Sequence, residues 1–348
     1  MIKTLKYNEI DTEQWQNLAQ ISPFSSYFQT KKCYDFYCSL SFLKPFVFGV
    51  EENEKLVGII CGYIVADGGK IKRFFSKRAI IAGGTLLDEN ISEEALQTLL
   101  NFTIKSLKNR AIYIEIRNYN DYSVFKNVFT ENNFIYKEHL NFHIATPDVD
   151  YVQSKMSSGK IRDIKLTQKN GAEIVEISQE NDLKNFYEIL KNLYQTKVKT
   201  PLFPYEFFEK LIKLPECKIF GIKYQNEIIG GSVCILFNQH TVYELFTCGL
   251  DGKFKNIFAS TLATYSGIEF AAKNSFKNFD MMGAGKPKKN YGVRDFKAKF
   301  GGNLIEHGRF LYICNNFLYQ TGKYYIELLK KDKWLRLRSA TAAKNSES

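Results

Sequence analysis

The sequence predicts an α+β protein in which a mixed sheet with a central helix behind it occurs twice. The first indication is an internal repeat: "FGVEENEKLVGIICGYIV" (48–65) and "FGIKYQNEIIGGSVCILF" (220–237) superpose without a gap at an offset of 172 residues. Phe-Gly opens both segments, and Gly58 falls opposite Gly230. In each segment an apolar strand, a polar turn and a second apolar strand predict an antiparallel hairpin.

A helix behind each sheet is the second indication. Apolar residues recur at helical spacing before "AIYIEIRN" (111–118) and again before "NFDMMGAG" (278–285), namely Leu96, Leu99, Leu100, Ile104 and Leu107, then Leu262, Tyr265, Ile268 and Ala272. Each half therefore reads as a hairpin, a further strand, a helix and a strand, then a helix and a last strand. In the first half that last pair is predicted in "SVFKNVFTENNF" and "IYKEHLNFHIA".

A boundary between the halves is predicted near "TPDVD" (146–150), where Pro147 and two acids interrupt the pattern. We divide the chain into a first domain at 1–148 and a second at 149–315, which a solvent-exposed helix at Val152–Lys169 is expected to open. Residues 316–338 are predicted to be helical, and their mixture of aromatic and basic side chains could dock on an anionic membrane surface. Small and polar residues predict a disordered tail at 339–348.

Composition excludes several classes of protein. The start, "MIKTLKYNEID", has no export signal, and the longest apolar stretch, Val57–Ala66, is far shorter than the roughly 20 residues that cross a bilayer. We therefore expect a cytoplasmic protein. Its seven cysteines form no C-x-x-C pair, which argues against disulfides and structural zinc.

The four histidines make a triad hydrolase an unfavourable reading. His139 and His143 could suggest a metal pair, but "HLNFHIA" alternates like a strand and no third ligand is apparent. We therefore expect no metal.

The net charge of +11 is unevenly distributed. Residues 1–150 carry 17 basic and 18 acidic side chains, whereas residues 151–348 carry 31 and 19. This concentration favours a polyanionic partner for the second half, although solvated helix faces would explain it too.

The segment "MGAGKPKKNYGVRDFKAKFGG" (282–302) places six cations among five glycines. A Walker loop is excluded, because Asp280 stands where its first glycine belongs and Pro287 where its hydroxyl belongs. The dinucleotide fingerprint is excluded as well, since Lys288 occupies the third glycine position. The segment is an anion site of another kind or a solvated basic turn.

The duplicated module is similar to the acetyltransferase-type (GNAT) fold. With "YIEIRN" (113–118), the R-x-I-K-x-x-x-K-x-G pattern at Arg162–Gly171 and "DFKAKFGG" (295–302), the chain resembles the Fem-type (FemABX) family, which builds interpeptide bridges in peptidoglycan. The resemblance implies transfer of an amino acid from aminoacyl-tRNA to an amine of a stem peptide, without a bound cofactor. It also implies an active site in the second domain and a C-terminal helix packed on the first.

The resemblance implies roles for particular residues. The family's lysine beside the developing oxyanion matches Lys297, in the Phe296–Lys297 pair. Its precursor-binding arginine matches Arg162, and a phosphate-contacting lysine matches Lys32. We expect Lys286, Tyr291 and Arg294 to line the anionic end of the substrate groove, and we expect a monomer in contact with an anionic cell-wall precursor. The coiled-coil arm of some family members is missing from this sequence.

Two alternatives stay open. The first keeps the fold but uses acetyl- or another acyl-coenzyme A to acylate an amino sugar or surface polysaccharide. The R-x-x-G-x-G/A turn that usually holds the cofactor pyrophosphate is found neither in "CGLDGKFKNIFAS" nor in "GGTLLDENISEEAL". The second is a nucleic-acid-binding module without chemistry, but most aromatic residues fall on core positions.

Overall fold

The computed structural model of the protein describes residues 1–288 and 291–324, with residues 70–72 described by their backbone alone. The first of its two sheets has the strand order β1-β2-β3-β4-β6-β15-β7, with β5 paired to β3. These strands are β1 (Ile2–Lys6), β2 (Lys44–Glu52), β3 (Lys55–Val65), β4 (Arg78–Gly83), β5 (Leu86–Leu87), β6 (Tyr113–Asn118), β7 (Ile135–Lys137) and β15 (Arg309–Ile313). The helices of this half are α1 (Thr12–Ile21), α2 (Lys31–Ser39), α3 (Lys70–Ser76), α4 (Glu93–Leu107) and α5 (Lys126–Glu131).

The second sheet has the order β14-β8-β13-β12-β11-β10-β9. Its strands are β8 (Leu140–Ala145), β9 (Glu173–Glu176), β10 (Cys217–Tyr224), β11 (Glu227–Phe237), β12 (Thr241–Gly249), β13 (Asn278–Asp280) and β14 (Asn303–Glu306). The helices are α6 (Val149–Lys155), α7 (Ser158–Lys169), α8 (Glu180–Leu193), α9 (Tyr205–Leu211), α10 (Ala259–Lys273) and α11 (Gly292–Ala298), and a π-helical turn (Tyr194–Val198) follows α8. The predicted α+β class with two mixed sheets is confirmed.

The two predicted hairpins are confirmed as β2–β3 and β10–β11, and they agree in detail. Each carries a β-bulge at the same place, where Val57 in one hairpin and Ile229 in the other has no partner on the neighbouring strand. Each turn uses two residues with positive φ, at Asn53, Glu54, Gln225 and Asn226. The repeat in sequence is therefore a repeat of backbone conformation, since bulges and primed turns fix the register of a hairpin.

Two strands cross the boundary that we place at residue 148. Strand β8, at the end of the first half, lies in the second sheet between β13 and β14. Strand β15, at the end of the second half, lies in the first sheet between β6 and β7. Each half thus completes the other's sheet, because an unpaired strand position would leave backbone hydrogen-bonding groups unsatisfied. The division into domains at 148 remains a proposal about chain segments.

The predicted helix at Val152–Lys169 is two helices, α6 and α7. The helix is interrupted at Ser157, the N-cap residue of α7. Its side chain accepts a hydrogen bond from the backbone N–H of Lys160, and its own N–H donates to Lys299 O at 2.9 Å. Nor is α7 simply solvent-exposed, because Lys160, Ile164 and Thr167 are buried. The break lets α7 turn toward α10 and α11.

Helices cover both faces of the second sheet. On one face, α6, α7 and α10 enclose a core that includes Val242 and Phe279. On the other face, α8 and α9 meet α2 of the first half, and the shared core joins Phe28 and Tyr63 to Phe186 and Tyr243. The two halves are therefore packed against each other through a common apolar core.

The C-terminal helix is described from residue 316 to residue 324. Within that stretch the ring of Tyr319 lies 5.6 Å from that of Tyr113 on β6, so the start of the helix contacts the first sheet. The remainder of the predicted helix, with its membrane docking, and the predicted tail at 339–348 lie outside the described residues. No helix in the described part of the chain has the length and apolarity that a membrane span requires.

Phe310→Ala tests whether β15 stabilises the first sheet. Phe310 is fully buried and stacks on Phe129 with ring centroids 4.1 Å apart. Its truncation should lower the free energy of unfolding by about 3–5 kcal/mol in denaturant titrations. Phe317→Ala, at a side chain that is 77% exposed, is the control and should change it by less than about 0.5 kcal/mol. Equal effects of the two variants would contradict the role of β15.

Candidate active site

A wedge opens in the second sheet where two parallel strands part. Strands β12 and β13 pair over three residues, ending with Tyr243 opposite Asp280, and β12 continues to Gly249 without a partner on the β13 side; this unpaired position is the wedge. A β-bulge at Leu245, which has no partner on β11, accompanies the divergence. In the first half, the corresponding strands β4 and β6 stay paired over six residues, to Gly83 opposite Asn118. Of the two halves as described, the second therefore has the open position between parallel strands.

Lys297 fills the head of this wedge. It lies on α11, is only 7% exposed, and donates to three consecutive backbone carbonyls, those of Met281, Met282 and Gly283 (3.2 Å for the last). Burial lowers the pKa of Lys297, while the nearby carboxylates Glu244 and Asp280 oppose that shift. The lysine that the resemblance marked as catalytic is thus a desolvated cation at the strand ends, with its donors directed at the chain's own backbone.

The turn that receives Lys297 is strained. Met282 has φ of +51°, a left-handed conformation that costs a residue other than glycine about 1–3 kcal/mol. Its N–H donates to Asp280 Oδ1 at 2.7 Å, and its carbonyl accepts from Lys297. The two contacts hold the turn from both sides. Such strain is commonest at functional sites.

Arg294 holds the next part of the same loop. Its guanidinium donates to Ala284 O at 3.0 Å, to Pro287 O at 3.1 Å and to Lys286 O. Arg294 and Lys297 are three residues apart on α11, so they lie on one face of this helix. The arginine expected to line an anionic site is therefore engaged by backbone carbonyls.

Tyr291 and Lys286 lie on the open side of the loop. Tyr291 immediately precedes α11 and is 39% exposed, and its ring covers Gly285, where a Cβ would lie 2.9 Å from the ring. Gly285 also has φ of +79°, so glycine is required there. Burial raises the pKa of Tyr194, in the π-helical turn, to about 12, and electrostatic repulsion from Tyr291 adds to this shift. Lys286 is exposed, and its charge helps to lower the pKa of His139.

Arg162 and Lys32 lie elsewhere. Arg162 is exposed on α7 and pairs with the neighbouring Asp163 at 3.1 Å. Lys32, on α2, forms an ion pair with Glu216. Because α7 packs on one face of the second sheet and α2 on the other, the structure does not bring these two cations together.

Lys160 is the residue of α7 that contacts the site, and the sequence analysis missed it. Its amine donates to Thr261 Oγ1 at 2.6 Å and lies 4.0 Å from the ring centroid of Phe296 and 5.1 Å from that of Phe300. Burial lowers the pKa of Lys160. Helical periodicity could have identified it, because residues 160, 164 and 167 lie on one face of the helix and two of them are uncharged, which indicates a buried face.

Glu244 is a second residue that was missed. It is 3% exposed, and its Oε1 has no hydrogen-bond partner among the described residues. Burial raises the pKa of Glu244 to about 7, against the opposing influence of Lys297 and of a hydrogen bond from Thr264. A single carboxylate in the otherwise uncharged strand "TVYELFTCG" is a signal that sequence reading can use.

The paired histidines considered as metal ligands have other partners. Arg309 donates to His139 Nε2 at 2.9 Å, and burial with this cation lowers the pKa of His139 to about 3. His143 Nε2 lies 3.1 Å from Asp280 Oδ2. Within residues 1–288 and 291–324, no group of three or more His, Cys, Asp or Glu side chains could hold a metal ion.

Carboxylates stand at the start of both central helices. At α10, the N–H of Ser260 donates to Asp251 Oδ1 at 2.9 Å, and a Cβ at Gly249 would overlap Ser260 N. At α4, Ser92 caps the helix, and Glu93 and Glu94 occupy its first turn. An anion at either position would meet negative charge or the chain itself, although a free helix N-terminus attracts anions.

Glu244→Gln should remove a loss of stability at rising pH. The pKa of Glu244 is about 7 when folded against 4.5 as its ordinary value, so the folded protein retains a proton that the unfolded chain releases. The stability that protonated Glu244 contributes is therefore greatest below about pH 4.5 and is lost as the pH rises through about 7. Urea titrations should show the variant gaining on the wild type by on the order of 2 kcal/mol across this range. Glu227→Gln, an exposed change on β11, is the control, and parallel pH profiles for wild type and Glu244→Gln would contradict the argument.

Known proteins resemble this chain in sequence and in fold. Residues 206–327 match the model of the FemAB family. FemX has a similar structure, with a TM-score of 0.68 at 15% identity over 92% of this chain and 99% of that one. A search of the curated proteins found no match.

Two further solved structures share the fold. A tandem GNAT protein from the clavulanic acid biosynthesis pathway has a TM-score of 0.56 at 9% identity, covering 90% of this chain and 99% of its own. L-PGS from Bacillus licheniformis has a TM-score of 0.56 at 11% identity, covering 91% and 96%. At these identities the structural matches establish the fold, and the family model adds the sequence pattern of α11 and its loop. The chain thus shares its fold with FemX and with a tandem GNAT protein, and its residues 206–327 match the FemAB family model.

Proposed function

We propose that this chain is an aminoacyl or acyl transferase that forms an amide on an amine of a cell-envelope precursor, a peptidoglycan stem peptide, with aminoacyl-tRNA as donor. The observation that carries the proposal is Lys297, a buried cation at the head of a wedge between parallel strands, in the segment that matches the FemAB family. A wedge of this kind admits an extended substrate against strand ends, and the first half keeps its own strands closed.

The chemistry needs a cation at this place. The amine nitrogen attacks the ester carbonyl carbon, and negative charge collects on the carbonyl oxygen. Lys297 would exchange one of its backbone carbonyl contacts for that oxygen. Because the ammonium is already desolvated, its interaction with the new charge is stronger than in water. The ester oxygen of the donor then leaves as a hydroxyl.

The starts of the central helices favour an ester donor over coenzyme A. At the start of α10, Asp251 already accepts from the N–H that a pyrophosphate would use. At the start of α4, the glutamates of the first turn would repel a pyrophosphate. An aminoacyl ester carries its leaving group on a ribose and needs no such position. These contacts support aminoacyl-tRNA as donor and argue against acyl-coenzyme A, the alternative for acylation of an amino sugar or polysaccharide.

Anionic parts of the substrates would meet exposed cations. Lys286 and Tyr291 flank the open side of the loop, and we propose them as contacts for the acceptor. Arg162 and Lys165 line a surface depression of about 500 Å³ on α7, away from the wedge, where they suit a more distant phosphate. Lys32 would need to leave Glu216 to take part. A monomer that contacts the membrane peripherally is compatible with this arrangement and is likewise a proposal.

Donor identity can be decided directly. Radiolabelled aminoacyl-tRNA and labelled acetyl-coenzyme A should be offered in parallel with a panel of amine acceptors, including stem-peptide precursors. We expect amide product from aminoacyl-tRNA, because its ester needs no pyrophosphate site. Product from the coenzyme A donor alone would replace the proposal with the N-acyltransferase alternative.

Lys297→Met tests the oxyanion role. Turnover should fall by roughly 100-fold or more, the cost of losing one oxyanion contact, while circular dichroism shows the fold retained. Lys299→Met is the matched control, because Lys299 is an exposed lysine two residues further along, and its turnover should be unchanged. Normal turnover in Lys297→Met would remove this lysine from the mechanism.

A further inference from the structure

His143 and Asp280 form a pair that the two halves of the chain build jointly. His143 is on β8, the strand that the first half supplies to the second sheet, and lies directly opposite Asp280 on β13. Asp280 is 1% exposed, and its Oδ1 accepts from Asn141 Nδ2 and from Met282 N, each at 2.7 Å. Its Oδ2 is 3.1 Å from His143 Nε2. The carboxylate is thus fixed by three donors.

We propose that His143 is the proton acceptor for the attacking amine, with Asp280 as the residue that positions its ring. This inference rests on the proposed amide-forming function and adds the group that takes the proton. Neither the family match nor the fold comparison assigns a role to either residue.

The geometry meets the requirements of a general base. The carboxylate of Asp280 accepts from Nε2–H, which leaves Nδ1 as the basic nitrogen, as in other carboxylate-oriented imidazoles. Nδ1 has no hydrogen-bond partner among the described residues, and 28% of the side chain is exposed. Asn141 Nδ2 also lies 3.5 Å from Nε2, but the contact with Asp280 Oδ2 is shorter, at 3.1 Å, so we assign the tautomer from the carboxylate.

Met282 connects this pair to Lys297. Its N–H is bound by Asp280, and its carbonyl is bound by Lys297. The proton acceptor and the oxyanion cation therefore stand on the two sides of one strained residue.

The step balances in atoms and charge. The amine nitrogen forms a bond to the ester carbon, and its excess proton passes to His143 Nδ1. The tetrahedral intermediate then breaks its bond to the ester oxygen, and the imidazolium returns the proton to that oxygen. The products are an amide and the free ribose hydroxyl of the tRNA, and the enzyme regains its starting protonation state.

Other ionisable groups surround His143 without sharing this position. The ring of His307, in the β14–β15 turn, is 5.7 Å away, and burial lowers the pKa of His307, with Asp121 and Glu306 among its neighbours. Burial lowers the pKa of His240 too, with Lys277 and His143 adding to that shift. Of the nearby acidic groups, Asp280 is the one that His143 contacts.

The test compares wild type with His143→Gln in amide formation across pH. We expect a 10²- to 10⁴-fold loss of kcat/KM and loss of the acid limb of the wild-type profile, since that limb reports protonation of the base. With hydroxylamine as acceptor, which is weakly basic and needs little help from a base, the deficit should shrink. His307→Gln is the matched control and should keep both rate and profile. An unchanged acid limb, or an equal deficit with hydroxylamine, would overturn the base role.

A spectroscopic measurement checks the pair without turnover. In protein with ¹⁵N-labelled histidine, His143 should show the Nε2–H tautomer when neutral, and the Nδ1–H tautomer would overturn the proposal. If wild type forms no amide from either donor, the proposed function fails and the base role falls with it. If wild type is active and His143→Gln keeps the wild-type pH profile, only the present inference is overturned.

Discussion

Two cations on one short helix hold the loop on which the site depends. The side chain of Lys297 donates hydrogen bonds to the backbone carbonyls of residues 281–283, and the guanidinium of Arg294 donates to those of residues 284, 286 and 287. Beyond the last β12–β13 pair these carbonyls have no donor on β12. Burying a carbonyl without a hydrogen-bond donor would destabilise the fold by about 1–3 kcal/mol. The basic, glycine-containing segment therefore first satisfies its own backbone. The chemistry that we propose uses the same contacts, because a desolvated cation held by backbone carbonyls could exchange one of them for an oxyanion.

Exchange of β8 and β15 makes the site a product of both halves. The first half supplies Asn141 and His143 beside β13, although the wedge belongs to the second half. Its own parallel strands remain closed, and Tyr122 packs there, donating to Thr85 O at 2.5 Å. The two halves thus have similar backbones, and the first half supports the second and supplies strand β8 to its sheet. Neither sheet is complete without the other half, so the arrangement also ties stability of one half to the other.

The site was predictable where its residues share a local motif. Tyr291, Arg294 and Lys297 lie within seven positions, and all three are found around one loop. Arg162 was named because the family resemblance matches it to a precursor-binding arginine, whereas Lys160, two residues earlier, is the cation that faces α11. The resemblance pointed to this helix, but only the helical period of 3.6 residues separates a buried lysine from an exposed arginine.

Sequence by itself determined the hairpins, their turns, the central helices and the segment that carries the loop, because periodicity and turn chemistry act between residues a few positions apart. Tertiary structure decided which sheet receives β8 and β15, which cations are buried, and that Asp280, His143 and Glu244 gather around one wedge. The contact of His143 with Asp280 and the pairing of β15 with β6 join residues more than a hundred positions apart. Their energies come from desolvation and from pairing across the sheet, which no short window of sequence contains.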